Sequence, residues 1–212
     1  MNKLNSEDIK GVFCMIKEVM DKNKDKLFKL DSEVGDGDLG VTMSSGFNKV
    51  YKVLSGIEDR SIGNIFMRAG FVLAEAAPSS AGTLIATGLI NAGKVVKDKV
   101  EVSLSDLSRM IAELTNSIME RGGAKPGEKT IVDSFYPASQ VLNKAAENNE
   151  DLKDGFRAAY QAAKEGTEAT EKMISQHGRS VWFGEKTIGK RDPGAFAGML
   201  IIKAFCDYLE NN

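Results

Sequence analysis

Residues 103–123 read SLSDLSRMIAELTNSIMERGG and spell out one complete helix. Ser103 stands three places before Asp106, the spacing of a capping box that satisfies orphan amides at a helix start. Leu104, Leu107, Ile111, Leu114 and Ile118 then fall at alternating steps of three and four, which is one apolar stripe on a helix. Gly122-Gly123 closes the segment as a left-handed C-cap would. The same grammar recurs outward in both directions. Toward the N-terminus, Asn5-Ser6 precedes the stripe Ile9, Val12, Phe13, Ile16, Val19, Met20. Val41 to Leu54 repeats the pattern, Ser61 caps a segment that stops near Pro78, and a further one runs from about Thr83 to Val100. Toward the C-terminus, Thr130 to Asn148 is helical but carries Pro137, which predicts a kink. Leu152 to Ile174 follows, and Asp192-Pro193 opens a last helix to about Leu209. The reading is eight helices and no convincing strand: an all-α fold in a single domain, residues 1–212.

Composition narrows the function classes. The chain has 212 residues, 42% of them hydrophobic, enough for one packed core. Lys plus Arg number 28 against 30 Asp plus Glu, a formal charge of −2, which argues against a nucleic-acid stripe or a polybasic membrane surface. Cys14 and Cys206, far apart on apolar helix patterns, predict buried thiols rather than a disulfide. One histidine and two distant cysteines cannot build an ordinary zinc site. The polar start MNKLNSED is unlike a signal peptide, and no apolar run approaches the ~20 residues of a membrane span, so a cytoplasmic protein is expected.

Between the first two predicted helices lies Asp31-Ser-Glu33-Val-Gly35-Asp36-Gly37-Asp38-Leu39-Gly40. Three aspartates this close repel one another unless a cation joins them, and oxygen-only ligands suit a hard ion. A calcium EF-hand loop fails on register. Counted from Asp31, position six is Asp36 rather than glycine; counted from Asp36, position twelve is Phe47. Magnesium fits better, since it takes few protein ligands and completes its shell with water and phosphate oxygens. Two alternatives stay open at this point: Asp36 and Asp38 as simple caps of the helix at Val41, and Glu33 as a further ligand. The stretch His177-Gly178-Arg179-Ser180 to Gly194-Ala195 places Arg179, Lys186, Lys190 and Arg191 among glycines before a helix start, chemistry that suits phosphate. Solvated loop lysines and a structural His177 are the plainer readings of those residues taken singly.

Four segments together resemble the nucleotide-binding L subunits of bacterial dihydroxyacetone kinases. They are LDSEVGDGDLGVTMSSGF (30–47), SSAGTLIATG (79–88), GAKPGEKTIVDSFYP (123–137) and GRSVWFGEKTIGKRDPGA (178–195), in order and over nearly the whole chain. The resemblance implies an antiparallel eight-helix barrel with ADP, or ATP, and two Mg2+ at one end. It implies Asp31, Asp36 and Asp38 as metal ligands, with Arg179 beside the phosphates. It further implies a nucleotide wall of Leu39, Thr42, Ser79, Ser80, Ala81, Gly82, Gly123, Thr130, Asp192, Pro193 and Gly194, with Gly189 nearby. The charges are sensible: ADP brings about −3 and the carboxylates −3, so two Mg2+ leave about −2 for Arg179 and helix N-termini to offset. Two positions depart from the family's pattern: Leu39 where histidine is common, and Ala81 where serine is common.

The implied activity is a kinase subunit that passes phosphate to a keto-triose held covalently on a separate K subunit. With no fused substrate domain, the expected assembly is a homodimer or a heteromer with that K subunit, without nucleic acid or membrane. A phosphocarrier M subunit of the phosphotransferase system is the expected phosphate source. The alternatives are an ATP-dependent subunit acting on another short ketose such as a tetrulose, or a non-catalytic ADP sensor that binds a transcription regulator. Fatty acid kinase shares a similar nucleotide domain but in much longer chains.

Overall fold

The computed structural model describes residues 2–212; Met1, the first residue of the expected 1–212 domain, lies outside them. In chain order the elements are β1 (Lys3–Asn5), α1 (Ser6–Lys22), α2 (Lys24–Ser32), α3 (Leu39–Leu54), α4 (Ile62–Ala76), α5 (Ser80–Val95), β2 (Glu101–Ser103), α6 (Leu104–Gly122), α7 (Val132–Glu147), α8 (Leu152–Ala169) and α9 (Pro193–Asn211). Two 3-10 segments, Thr170–Lys172 and Arg179–Thr187, lie between α8 and α9. Helix starts coincide with the capping residues. Asn5 with Asp8, and Ser103 with Asp106, close reciprocal boxes; Ser61, Ser79, Asp151 and Asp192 each accept an amide of the first turn. Each such cap contributes about 1 kcal/mol.

The mostly helical expectation holds, with two corrections among the described residues. There are nine α-helices, not eight, because α2 fills what reads as a connection; it buries only Leu27 and so carries almost no apolar stripe. A two-stranded antiparallel sheet is also present, pairing Lys3 with Ser103, Leu4 with Val102 and Asn5 with Glu101. Strands of three residues expose no alternation that a sequence pattern could register. The helix expected over 83–100 runs instead from Ser80 to Val95, and the one expected to Ile174 stops at Ala169. Helix α7 is assigned continuously through Pro137, and Gly166 of α8 lies against the Asp133 carbonyl that the proline leaves without its helical donor. Both cysteines are free; Cys206 is buried and Cys14 half-buried.

Packing follows a closed order. Helices α1, α3, α4, α5, α6, α7, α8 and α9 each pack on the next, and α9 packs back on α1, while α2 lies against α3 and α9. Residue contacts give antiparallel registers: Gly46 with Leu73 and Ala77, Gly63 with Gly93 and Gly70 with Ile90, Gly88 with Leu114, Ser108 with Asn143, Gly155 with Ala145. Thr167 meets Ala195, and Phe156 stacks on Phe205 at 5.0 Å, which sets α8 antiparallel to α9. Inside the ring the stripes merge into one continuous apolar core, with Phe13 edge-on to Phe66 at 5.4 Å. The alternation has a positional result. The starts of α3, α5, α7 and α9 and the ends of α4, α6 and α8 share one end of the molecule. No helix among the described residues is long and apolar enough to cross a membrane.

Candidate nucleotide and metal site

Asp31 sits in the last turn of α2, and Asp36 and Asp38 lie in the short loop that leads into α3. One carboxylate oxygen from each comes within 4.8 Å of the other two. Two glycines make that convergence possible. Gly37 takes a left-handed backbone with φ 75°, where a side chain would be strained. Gly35 passes so near Asp31 that a Cβ there would lie 2.5 Å from Oδ1. Asp31 Oδ2 also accepts the Leu39 amide at 3.1 Å, so the first aspartate ties the loop to the start of α3. Asp38 occupies the N-cap position of α3 yet makes no side-chain capping bond. The plain capping role that the sequence left open for Asp38 is therefore not taken up. Glu33 is outside the carboxylate cluster, and its backbone carbonyl accepts a hydrogen bond from Lys190 Nζ at 2.9 Å. A cluster of three anionic oxygens with exposed faces fits a hard divalent cation in its donor set and spacing.

A cation of the protein already stands at this cluster. The Arg179 guanidinium pairs with Asp36. Its side chain is 70% exposed, and such pairs are worth about 1 kcal/mol or less, so the guanidinium stays available to another anion. Arg179 begins the second 3-10 segment, directly after Gly178, whose φ is 67°. Val181, Trp182 and Phe183 follow it with exposed side chains; Trp182 is 89% exposed.

The remaining expected residues lie at the same end of the molecule, in three other local structures. Ser79 caps α5 by accepting the Gly82 amide at 3.1 Å; Ser80 is exposed in the first turn, and Ala81 packs partly against the core. Gly82 is pressed on the preceding turn, where a Cβ would lie 2.1 Å from the Ala77 carbonyl. Gly123 ends α6 in the left-handed conformation. Thr130 is held from its amide by Asp133 Oδ2 at 2.7 Å, and Asp133 Oδ1 accepts the Gly127 amide at 2.6 Å, so one buried carboxylate shapes the whole 124–131 loop. Asp192, Pro193 and Gly194 form the start of α9, where Asp192 accepts the Ala195 amide at 2.7 Å and Gly194 lies against Ile131. Thr42 is in the first turn of α3, its amide bonded to the Asp38 carbonyl. No hydrogen bond among the described residues joins the Ser79 turn or Thr130 to Asp31, Asp36 or Asp38. Leu39 contributes only its amide, because its side chain is buried in the core.

Lys129 escaped the sequence reading, and Asp192, His177 and Arg191, named there, have partners or surroundings that it did not give. Lys129, within GEKT, is 1% exposed and donates to the carbonyls of Thr170, Thr187 and Lys190 at 2.6, 2.8 and 2.6 Å. Burial pulls its ammonium below the usual lysine range, against the pull of Asp192, Glu171 and Asp133. Burial likewise pushes the Asp192 carboxyl up to about 7, with the neighbouring Asp133 charge adding to the rise. His177 pairs with Glu128 at 2.6 Å, a contact between the two loops rather than a catalytic placement. Arg191 pairs with Glu171 at 2.8 Å. None of these partners is close in sequence, so spacing could not have announced them.

Comparison with known proteins identifies the family. A family model described as the DAK2 domain matches residues 33–207. The chain is 31% identical over 186 residues to the PEP-dependent dihydroxyacetone kinase ADP-binding subunit DhaL of Escherichia coli, covering 88% of this chain and 89% of that protein. It is 31% identical over 194 residues to a second such subunit, from Listeria innocua, covering 91% and 89%. It is also 30% identical to the L-erythrulose 1-kinase of Mycolicibacterium smegmatis, but spans only 36% of that longer protein. In fold it is similar to the crystal structure of the C. freundii dihydroxyacetone kinase in complex with AMP-PNP and Mg2+, with TM-score 0.74 and 23% identity over 98% of this chain and 34% of that one. The chain belongs to the DAK2-domain family, alongside the ADP-binding subunits of dihydroxyacetone kinases.

Proposed function

We propose that this chain is the nucleotide-binding, phosphoryl-transferring subunit of a dihydroxyacetone kinase. In this reading Asp31, Asp36 and Asp38 hold two Mg2+ and Arg179 stands beside the phosphates of ADP or ATP. Ser79, Ser80, Ala81 and Gly82, with Gly123, Thr130, Thr42, the Leu39 amide and the Asp192-Pro193-Gly194 corner, form the rest of the nucleotide wall. The closed helix order supports reading the fold as the antiparallel eight-helix barrel that the resemblance implies, with α2 as an addition. The observation that carries the proposal is the meeting of three carboxylates and one exposed guanidinium at a single point.

The chain's own residues do the positioning. Phosphoryl transfer asks a protein mainly to align the phosphate and offset its charge. Asp31 is anchored by the Leu39 amide, so it presents a fixed oxygen, while Asp38 turns its oxygens toward solvent and Asp36 is held only by the exposed Arg179. Arg179 exchanges Asp36 for a phosphate oxygen, a trade its exposure makes inexpensive. Asp31, Asp36 and Asp38 would hold magnesium, which would supply charge neutralisation of the phosphate. The substrate is carried by a separate K subunit. The exposed Val181-Trp182-Phe183 stretch beside Arg179 supports a docked partner there. The assembly is then a heteromer with the K subunit, and a phosphocarrier M subunit would recharge the nucleotide in place.

Calorimetry with MgADP tests the site. Asp36→Ala should lose measurable MgADP binding while keeping the helical circular dichroism; unchanged affinity would remove the metal assignment. A second reading, an ADP sensor that acts on a transcription regulator, draws support from Leu39, whose side chain is committed to the core and cannot reach a phosphate. Mixing the chain with a K subunit, dihydroxyacetone and either ATP or a phosphocarrier separates the two. Sugar phosphate formation supports the kinase; its absence with every donor leaves the sensor.

A further inference from the structure

We propose that Lys129 and Lys190 are positioning residues that together hold the Arg179 segment at a fixed distance from the carboxylate loop. The inference rests on the reading of Arg179 and the aspartates just given, and it adds two residues to it.

The geometry is a relay of two ammonium groups. An ammonium has three N–H donors and no acceptor. Lys129 uses all three on carbonyls: Thr170 at the end of α8, Thr187 at the end of the Arg179 segment, and Lys190 in the turn that follows. Its own backbone is left-handed, with φ 61°, a conformation non-glycine residues rarely keep unless their surroundings impose it. Lys190, whose carbonyl is one of those three acceptors, turns its own ammonium to the Glu33 carbonyl at 2.9 Å. Glu33 lies between Asp31 and Asp36. One continuous path therefore runs from the 124–131 loop through residues 187–190 to the carboxylate loop. The other end of the arginine segment is fixed by the same neighbour: Gln176 N–H donates to the Glu128 carbonyl at 3.3 Å, and His177 meets the Glu128 carboxylate. Arg179 is thus suspended between two anchors, both rooted at Glu128-Lys129.

Backbone carbonyls are the acceptors at every step, so neither lysine spends its bonds on a carboxylate of the site. That distinguishes a brace from a ligand. It also explains why the buried charge is tolerated: all three donors are satisfied, and Asp192 and Asp133 stand near enough to act electrostatically.

The test uses the full chain and Lys190→Met, which removes the outer strut without touching the buried lysine. In metal-free protein the lone tryptophan, Trp182, lies inside the braced segment and reports on it directly. Lys190→Met should keep the wild-type helical spectrum, lower the fluorescence anisotropy of Trp182 and hasten tryptic cleavage after Arg179. Its MgADP dissociation constant should rise about tenfold. Lys190→Arg, which keeps a donor of similar reach, should return all three toward wild type. Lys129→Met should act in the same direction and more strongly. The decisive arm is additivity: in an Arg179→Ala background, Lys190→Met should cost no further MgADP affinity, because its effect passes through the arginine. Wild-type anisotropy and cleavage in Lys190→Met, or full additivity with Arg179→Ala, would overturn the brace. Failure of the wild-type chain to bind MgADP would instead sink the functional reading, and the metal-free anisotropy and cleavage would still judge the brace.

Discussion

Asp192 caps α9 from a fully buried position, where desolvation first, and the Asp133 charge after it, push its carboxyl up to about 7. The folded chain thus holds a proton on Asp192 that the unfolded chain releases near pH 4. Stability from this group is complete below about pH 4 and declines as pH rises toward 7, after which it is flat. Asp192→Asn keeps a capping oxygen without the charge. The variant should lose this part of the slope of unfolding free energy between about pH 4 and 7 and equal or exceed the wild type at pH 8, as read by urea titration across that range. Gly35 offers a second test at the same scale. An alanine Cβ there would lie 2.5 Å from Asp31 Oδ1 and 3.0 Å from the Asp31 carbonyl, so Gly35→Ala should displace that carboxylate and shift the turn slightly while the helices stay folded. MgADP affinity should drop about tenfold by calorimetry, with an unchanged helical spectrum. Among single residues, the clustering of the three aspartates was suggested by their spacing, their assignment as metal ligands came only with the family resemblance, and the caps were legible from their chemistry. Lys129 was not, because a lysine in a glycine-flanked turn reads as a solvated cation, and only the fold brings three carbonyls to it.

Helices with a broad apolar face announced themselves: α1, α4 and α6 begin at the residues their caps dictate and bury the stripes that periodicity picks out, and α9 begins at its Asp192-Pro193 signal. Helix α2 did not, since KDKLFKLDS buries a single leucine and offers no face to count. Its importance is out of proportion to that signal, for it carries Asp31. Its seat on α3 depends on Gly40, where a Cβ would lie 2.2 Å from the Lys24 carbonyl, a backbone atom that cannot step aside. Gly40→Ala should therefore pry the two helices apart. The expected cost is about 1–3 kcal/mol in chemical denaturation, together with weakened MgADP binding, because Asp31 and Asp38 then no longer share one frame. A variant that lost stability but bound MgADP as before would show that α2 does not set the metal geometry.

For the molecule as a whole, ligand binding and folding share one free energy. MgADP at about a hundred times its dissociation constant stabilises the bound state by about 2.7 kcal/mol. For a chain of this length that corresponds to a rise of roughly 5–10 °C in Tm, which differential scanning fluorimetry would detect and a chelator would reverse. ADP with the chelator present should give no rise, if the carboxylates grip the nucleotide only through the cation. The ring order was not readable beforehand: eight segments were countable from periodicity, but their neighbours and the return of α9 to α1 depend on contacts between distant residues. The site shares that property. Its anionic loop is complete by residue 38, whereas the lysine that reaches Glu33 comes 157 residues later. A chain still emerging from the ribosome thus carries three mutually repelling carboxylates before either Arg179 or Lys190 has been made. Their protein-borne counter-charge, Arg179, is made long after residue 38, so competence to hold a nucleotide waits for a distant segment rather than arriving with the loop itself.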